Sequence, residues 1–146
     1  MLIANRKAGF NYQLLETFEA GLVLTGGEVK SIRAGQANLG DAYARIKDGE
    51  IWLNNLHIAP YSQARQDGYE PTRPRKLLLH KKELVQLTSK LQEQGLSLVP
   101  TKIYSTRNHI KVELALARGK KKYDKRASIK RKESEREISR KLRVKQ

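Results

Sequence analysis

Residues 96–117 read Leu96-Ser97-Leu98-Val99-Pro100-Thr101-Lys102-Ile103-Tyr104-Ser105-Thr106-Arg107-Asn108-His109-Ile110-Lys111-Val112-Glu113-Leu114-Ala115-Leu116-Ala117, and this stretch decides the fold class. From Ile110 onward, Val112, Leu114 and Leu116 alternate with Lys111, Glu113 and Ala115. That is the period-two pattern of a strand with one face in a core and the other in water. Leu96 to Tyr104 is a second strand-like run, and Thr106-Arg107-Asn108 between the two predicts a hairpin.

The same pattern recurs toward the N-terminus. Ala42-Tyr43-Ala44-Arg45-Ile46-Lys47 alternates, Asp48-Gly49 is a strong two-residue turn signal, and Glu50 to Ile58 returns as a strand. Tyr12 to Leu24 is extended, apolar and aromatic, with a break at Gly21, and suits one bent strand or two short ones. Thr25-Gly26-Gly27 is a breaker with an N-cap candidate; Val29, Ile32 and Arg33 then follow helical spacing over about 26–34, up to Gly35. Leu84, Leu87 and Leu91, stopped by Gly95, predict an amphipathic helix over 81–94. Ser62 to Arg75 is polar, holds Pro71 and Pro74, and reads as an exposed loop. The expected fold is mainly β: a small antiparallel Greek-key barrel of the oligonucleotide-binding type with added helices, in preference to a sandwich. It spans residues 1–118 and is followed by a tail, 119–146.

Charge marks the same division. The 146 residues carry 30 Lys and Arg against 15 Asp and Glu, with 38% hydrophobic residues and no cysteine. That is enough for one core, and it removes disulfides, thiolate nucleophiles and Cys-ligated zinc. Residues 1–117 hold 16 basic and 11 acidic side chains; residues 118–146 hold 14 and 4. Two thirds of the +15 therefore sits on the last fifth of the chain. Few apolar residues accompany it, so the tail is expected to be disordered alone. Ile138 and Leu142, and Glu137 and Lys141, lie four apart, so a helix is expected once a partner neutralises the charge. No apolar run approaches a membrane span, and charge follows a very short apolar start, the reverse of a signal peptide. The expected setting is cytoplasmic.

No catalytic constellation assembles. His57, His80 and His109 are scattered without metal-ligand spacing, Gly26-Gly27 lacks the pattern of a phosphate loop, and most carboxylates are flanked by Lys or Arg, which suggests surface pairing. Cations interleaved with aromatics stand out instead. Gly119-Lys120-Lys121-Lys122-Tyr123-Asp124-Lys125-Arg126 can neutralise several phosphates while its tyrosine stacks on a base. Lys30 and Arg33 share one side of a short helix, and Arg73, Arg75 and Lys76 pin charge at a strand edge. These features point to a nucleic-acid partner, with RNA favoured.

Several blocks are more specific than composition. They are Asn5-Arg6-Lys7-Ala8; Glu16-Thr17-Phe18-Glu19-Ala20-Gly21-Leu22; Gly27-Glu28-Val29-Lys30-Ser31 with Arg33-Ala34-Gly35; and His57-Ile58-Ala59-Pro60-Tyr61. Arg75-Lys76-Leu77-Leu78-Leu79-His80-Lys81, Lys111-Val112-Glu113-Leu114-Ala115-Leu116-Ala117, Gly119-Lys120-Lys121 and Tyr123-Asp124-Lys125-Arg126 continue the series. Together they resemble the SsrA-binding protein family, also called small protein B (SmpB). The resemblance implies a bacterial, non-enzymatic adaptor for trans-translation. Such an adaptor binds the tRNA-like domain of transfer-messenger RNA and delivers it to ribosomes stalled without a stop codon. It implies an oligonucleotide-binding barrel, no cofactor, and a tail that becomes helical in the empty mRNA channel. The implied partners are transfer-messenger RNA, the decoding centre and mRNA channel of the stalled 70S ribosome, and elongation factor Tu with GTP through the charged RNA. It further implies no membrane and a monomer bound one to one with the RNA.

Carried over by position, Glu19, Leu78 and His80 match the family's RNA-binding surface, with Lys7, Lys30, Arg33 and Lys76 as phosphate contacts. Phe10, Lys120, Lys121, Tyr123, Asp124, Lys125 and Arg126 match the part that meets the ribosome. Asp124, Lys125 and Arg126 match a tail motif that the resemblance assigns to tagging rather than to RNA affinity. Phe10 stands where the family often has a histidine; a phenyl ring stacks but cannot hydrogen-bond. Ser105 replaces a common aromatic, and Ala42 a common serine. From the residues alone, a structural ribosomal protein and an RNA-processing enzyme stay open as alternatives.

Overall fold

The computed structural model describes residues 3–61 and 68–119. The motif at 120–126 and the rest of the tail lie outside the described residues. The chain order is β1 (Ile3–Ala4), α1 (Arg6–Asn11), β2 (Tyr12–Leu22), α2 (Gly26–Arg33), β3 (Ala37–Asn38), β4 (Tyr43–Lys47), β5 (Glu50–Asn54), β6 (His57–Ile58), β7 (Arg75–Leu78), α3 (Lys81–Gln94), β8 (Ser97–Thr106) and β9 (His109–Gly119).

The strands of the main sheet run β1-β8-β4-β5-β7-β2-β9, and β8 also pairs with β9. Six of them therefore close into an antiparallel barrel, with β1 as an extra edge pair on β8. β4, β5 and β7 follow one another as neighbours, and the next strand, β8, returns beside β4. This is the Greek-key path expected of an oligonucleotide-binding type of barrel. Closure between β4 and β8 rests on one register pair, Ala44 with Leu98. β3 and β6 form a separate two-stranded sheet.

Both hairpin turns follow from local chemistry. Asp48 and Gly49 have φ of 53° and 75°, and Arg107 and Asn108 have 49° and 67°. Two successive residues with positive φ match the right-handed twist of the strands they join. Tyr12–Leu22 forms one strand with a bulge between Leu14 and Glu16, and Gly21 does not break it. Gly21 pairs with Lys111 on one side and Leu78 on the other, so the bent strand bridges β9 and β7. A second bulge lies in β8 between Pro100 and Lys102, where a residue without an N–H is tolerated. The Asn5 amide and side chain donate to the Thr101 and Pro100 carbonyls, each at 2.8 Å. They tie the start of α1 to that bulge. α1 is not legible in the sequence: six residues containing Gly9 carry too little periodicity, and burial of Ala8 against Val99 and Ala117 holds it.

The alternating residues fill the barrel. Ile51, Leu53, Leu77, Leu98, Ile103, Val112, Leu114 and Leu116 are all buried. α3 carries the chain from β7 to β8, with Leu87 fully buried and Leu84 and Leu91 packed against the same core. Gly95 ends it in the left-handed region. Among the described residues, no helix is long and apolar enough to cross a membrane.

Candidate nucleic-acid interface

α2 is positioned by a buried ionic cluster. Thr25 and Glu28 form a reciprocal capping box at its start, with the Glu28 amide donating to Thr25 Oγ1 at 3.2 Å and the Thr25 amide donating to Glu28 Oε1 at 3.0 Å. The Glu28 carboxylate, 1% exposed, also takes Arg75 Nε at 2.8 Å and Arg75 Nη2 at 2.5 Å, and Arg73 on its other oxygen. Arg75, fully buried, donates to the Leu56 carbonyl and to Pro71 O at 3.0 Å. Tyr69 donates to Ile58 O at 2.9 Å and completes the cluster. Burial alone would push the Glu28 carboxyl up; hydrogen bonds from Arg73, the Thr25 amide and Arg75, with the Arg75 charge, outweigh it and hold it below the usual carboxylate range. Burial and the Glu28 charge push the Tyr69 phenol up.

Two expectations are corrected here. Arg75 carries no surface charge, because it points inward from β7, and Glu28 is a buried partner rather than a surface one. Of the stretch read as an exposed loop, Tyr69, Pro71 and Arg73 are half-buried and Arg75 opens a strand. Charged residue types in a polar, proline-containing run favour exposure; only the carboxylate brought from α2 reverses that.

Anchored this way, α2 presents Lys30 and Arg33 outward. The Lys30 ammonium lies 5.4 Å from the Tyr61 ring centre, and Arg33 Nη2 donates to the Asn108 carbonyl at 3.2 Å in the β8–β9 turn. Asn108 borders a hollow of about 240 Å³ whose walls include Leu24, Val29, Leu78, Ile110 and Lys111. Leu78 is 54% exposed, so it belongs to the surface and not the core. Its Cβ would stand 3.4 Å from a Cβ added at Gly21. The missing side chain leaves room for the leucine to lie over β2.

From Leu78 a row of register partners crosses the outer wall: Leu78, Gly21, Lys111 and Tyr104 on β7, β2, β9 and β8. The next row holds Glu19, Glu113 and Lys102. Tyr104 donates to Glu19, and Thr101 donates to Glu113. Lys102 lies 3.9 Å from Glu113 and 5.7 Å from the Tyr104 ring centre. The wall thus mixes an apolar leucine, aromatic and cationic groups and two held carboxylates.

The fold therefore brings together Glu19, Leu78 and Arg33, with Lys30 on the adjoining helix. His80 lies exposed two residues beyond Leu78, at the N-cap of α3, without a side-chain capping bond. Lys76 also faces outward from β7 but pairs with Glu50 at 3.3 Å, toward β5. Lys7 and Phe10 stand apart on α1, exposed and half-buried respectively, with Lys7 sharing a hollow with Gly40 and Asp41. Lys120, Lys121, Tyr123, Asp124, Lys125 and Arg126 lie outside the described residues. Sequence reasoning missed Tyr104, Lys102 and Lys111 as members of this wall. Alternation placed Lys111 on the wet face, but the pairing that sets it beside Gly21 is long-range.

A closed Greek-key barrel whose outer wall carries cations, aromatics and an exposed leucine defines the class of small nucleic-acid-binding barrel proteins. The family described as SmpB protein matches residues 2–144. The SsrA-binding protein of Desulforudis audaxviator is 57% identical over 141 residues, covering 97% of this chain and 92% of that protein. That of Carboxydothermus hydrogenoformans is 51% identical over 144 residues, covering 99% and 97%. Among solved structures, a chain of "tmRNA-SmpB: a journey to the center of the bacterial ribosome" aligns with a TM-score of 0.68 and 50% identity, covering 84% of this chain and 87% of that one. The chain belongs to the SmpB protein family.

Proposed function

We propose that this chain is the RNA-binding adaptor of trans-translation, binding transfer-messenger RNA and acting with it on the bacterial ribosome. The observation that carries this reading is the family match over residues 2–144, with relatives named SsrA-binding protein and a structural neighbour solved as tmRNA-SmpB in the ribosome. The wall built on Glu19, Leu78 and Tyr104 is the surface we assign to the tRNA-like domain. Leu78 supplies an apolar contact for an unstacked base, and Lys30 and Arg33 supply phosphate contacts from α2. Glu19 accepts from a base amino group or a ribose hydroxyl, which a phosphate-seeking cation cannot do. His80, Lys7 and Lys76 extend the contact at its margins. Phe10 and the tail from Lys120 to Arg126 serve the decoding centre and mRNA channel, with elongation factor Tu arriving through the charged RNA. In this reading the chain has no catalytic step; it supplies shape and charge.

The test is binding of the purified chain to transfer-messenger RNA and to ordinary tRNA at about 0.15 M salt, where loose phosphate attraction is weakened. A clear preference for transfer-messenger RNA that is reduced by Glu19→Ala is the expected result. Equal, weak and salt-sensitive binding to both would mean that the +15 charge acts alone, and would favour a structural ribosomal protein.

A further inference from the structure

The barrel wall that continues from β7 onto β5 and β4 carries an aromatic–cation arrangement of which the roles above use only Lys76. It adjoins the Leu78 wall at β7, where Lys76 and Leu78 stand two residues apart on the outer face. Arg45 on β4 is the register partner of Trp52 on β5, and Trp52 is the register partner of Lys76 on β7. The three side chains therefore stand in one row on the outer face, at cross-strand spacings of about 5 Å. Trp52 is half-buried and is the one tryptophan of the chain. A groove of about 550 Å³ opens beside it, lined by Arg45, Lys47, Glu50, Asn54 and Pro74, with Asp48 at the hairpin tip.

The charges in this groove are unequally committed. Glu50 pairs with Lys76 at 3.3 Å. The side chains of Arg45 and Lys47, two apart on one strand and so on one face, have no hydrogen bond or ion pair among the described residues. Asn54 adds an amide able both to donate and to accept. An indole edged by two uncommitted cations matches how proteins hold single-stranded nucleic acid: a base on the ring, its phosphates on the cations. The groove has the volume of about one nucleotide-sized ligand. Asp48 at the tip would repel a continuous duplex backbone, so the fitting occupant is one unpaired nucleotide rather than a helix. A protein partner fits less well, because Trp52 and Pro74 are the groove's only large apolar surfaces.

We propose that Trp52, Arg45 and Lys47 form a second RNA site, which stacks one unpaired nucleotide beside the Leu78 wall and apart from Glu19. A chain with both sites would extend its RNA contact from β2 and β9 across β7 onto β5 and β4.

Because Trp52 is the one tryptophan, its fluorescence reports this site directly in the full chain. Single-stranded oligoadenylate at about 0.15 M salt should quench it saturably. Arg45→Gln with Lys47→Gln should weaken that titration about tenfold and flatten its salt dependence. Glu19→Ala, on β2 with β7 between it and β5, should leave it unchanged. With a labelled oligoadenylate, Trp52→Leu should weaken binding about 5- to 150-fold while Trp52→Phe retains most of it, both variants melting cooperatively. An absent quench would overturn the site. An equal quench by heparin or polyglutamate, which carry charge without bases, would overturn the stacking role. Loss of the quench in Glu19→Ala would reduce the two sites to one surface. None of these outcomes touches the preference for transfer-messenger RNA over tRNA, so the two proposals fail separately.

Discussion

Tyr104 on β8 donates its hydroxyl to Glu19 on β2, reaching past the strand between them. Glu19 stands opposite Glu113 on that intervening strand, and like charges in this position repel. The Tyr104 hydroxyl on one carboxylate, and Thr101 with Lys102 on the other, keep the pair in place. Burial, the bond to Glu19 and the nearby charges of Glu19 and Glu113 all push the Tyr104 phenol up, so it remains a neutral donor at any working pH. The Glu19 carboxylate is thus held in one orientation on the outer wall.

Tyr104→Phe removes that donor and leaves the ring. Affinity for transfer-messenger RNA should fall about 2- to 13-fold, less than the full worth of a hydrogen bond to a charged group, because the Glu19 carboxylate is still present but no longer aimed. Glu19→Ala should cost more. Neither change should weaken nonspecific tRNA binding, since neither removes a cation. Parallel titrations of the two RNAs check this, and equal losses on both would count against a recognition role for Glu19.

Leu78 is 54% exposed and contributes little to the core. Leu78→Asp should shift unfolding stability by no more than about 0.5 kcal/mol, as for other surface changes. It should weaken transfer-messenger RNA binding by at least about tenfold through a buried, unpaired charge at the contact. Urea unfolding and RNA titration on the same preparation separate the two effects. A large stability loss would return Leu78 to the core.

Glu28 and Arg75 make acid the weak direction of this fold. The Glu28 carboxyl sits below its ordinary value of 4.5 in the folded chain. Its contribution to stability is therefore complete above that value and is lost as pH falls through the lowered one. Glu28→Gln should destabilise by about 3–5 kcal/mol at pH 7, because Arg75 stays buried without its counter-charge. The gap between wild type and variant should narrow as pH falls below the ordinary carboxyl value of 4.5. Urea midpoints across pH test the sign, and a gap that widened in acid would contradict it.

Asp124, Lys125 and Arg126 are assigned to the ribosome-facing tail. Changing all three to Ala should leave transfer-messenger RNA affinity within about threefold, a shift smaller than one phosphate contact would cause. Peptide tagging on stalled ribosomes should be abolished. Wild-type tagging by the triple variant in a purified translation system would remove the tail role.

What could be read from the chain is what local chemistry writes. Alternation at Val112, Leu114 and Leu116 gives a half-buried strand, Asp48-Gly49 gives a tight turn, and Leu84, Leu87, Leu91 and Gly95 give a helix and its stop. Each is a repulsion or attraction within a few residues, so sequence alone decides it. Order and spacing of such elements were enough for a mainly β barrel, and the ordered blocks from Asn5 to Arg126 were enough for the family. The tertiary structure decided what depends on distant partners. Glu28 and Arg75 are 47 residues apart; both look like surface charges until the fold removes their water and leaves each the other's counter-ion. Glu19 and Tyr104 are 85 apart; Arg45, Trp52 and Lys76 become one row only through strand register. A residue's type sets what it can bond, but which group it meets follows from closure of the barrel, a property of the whole chain.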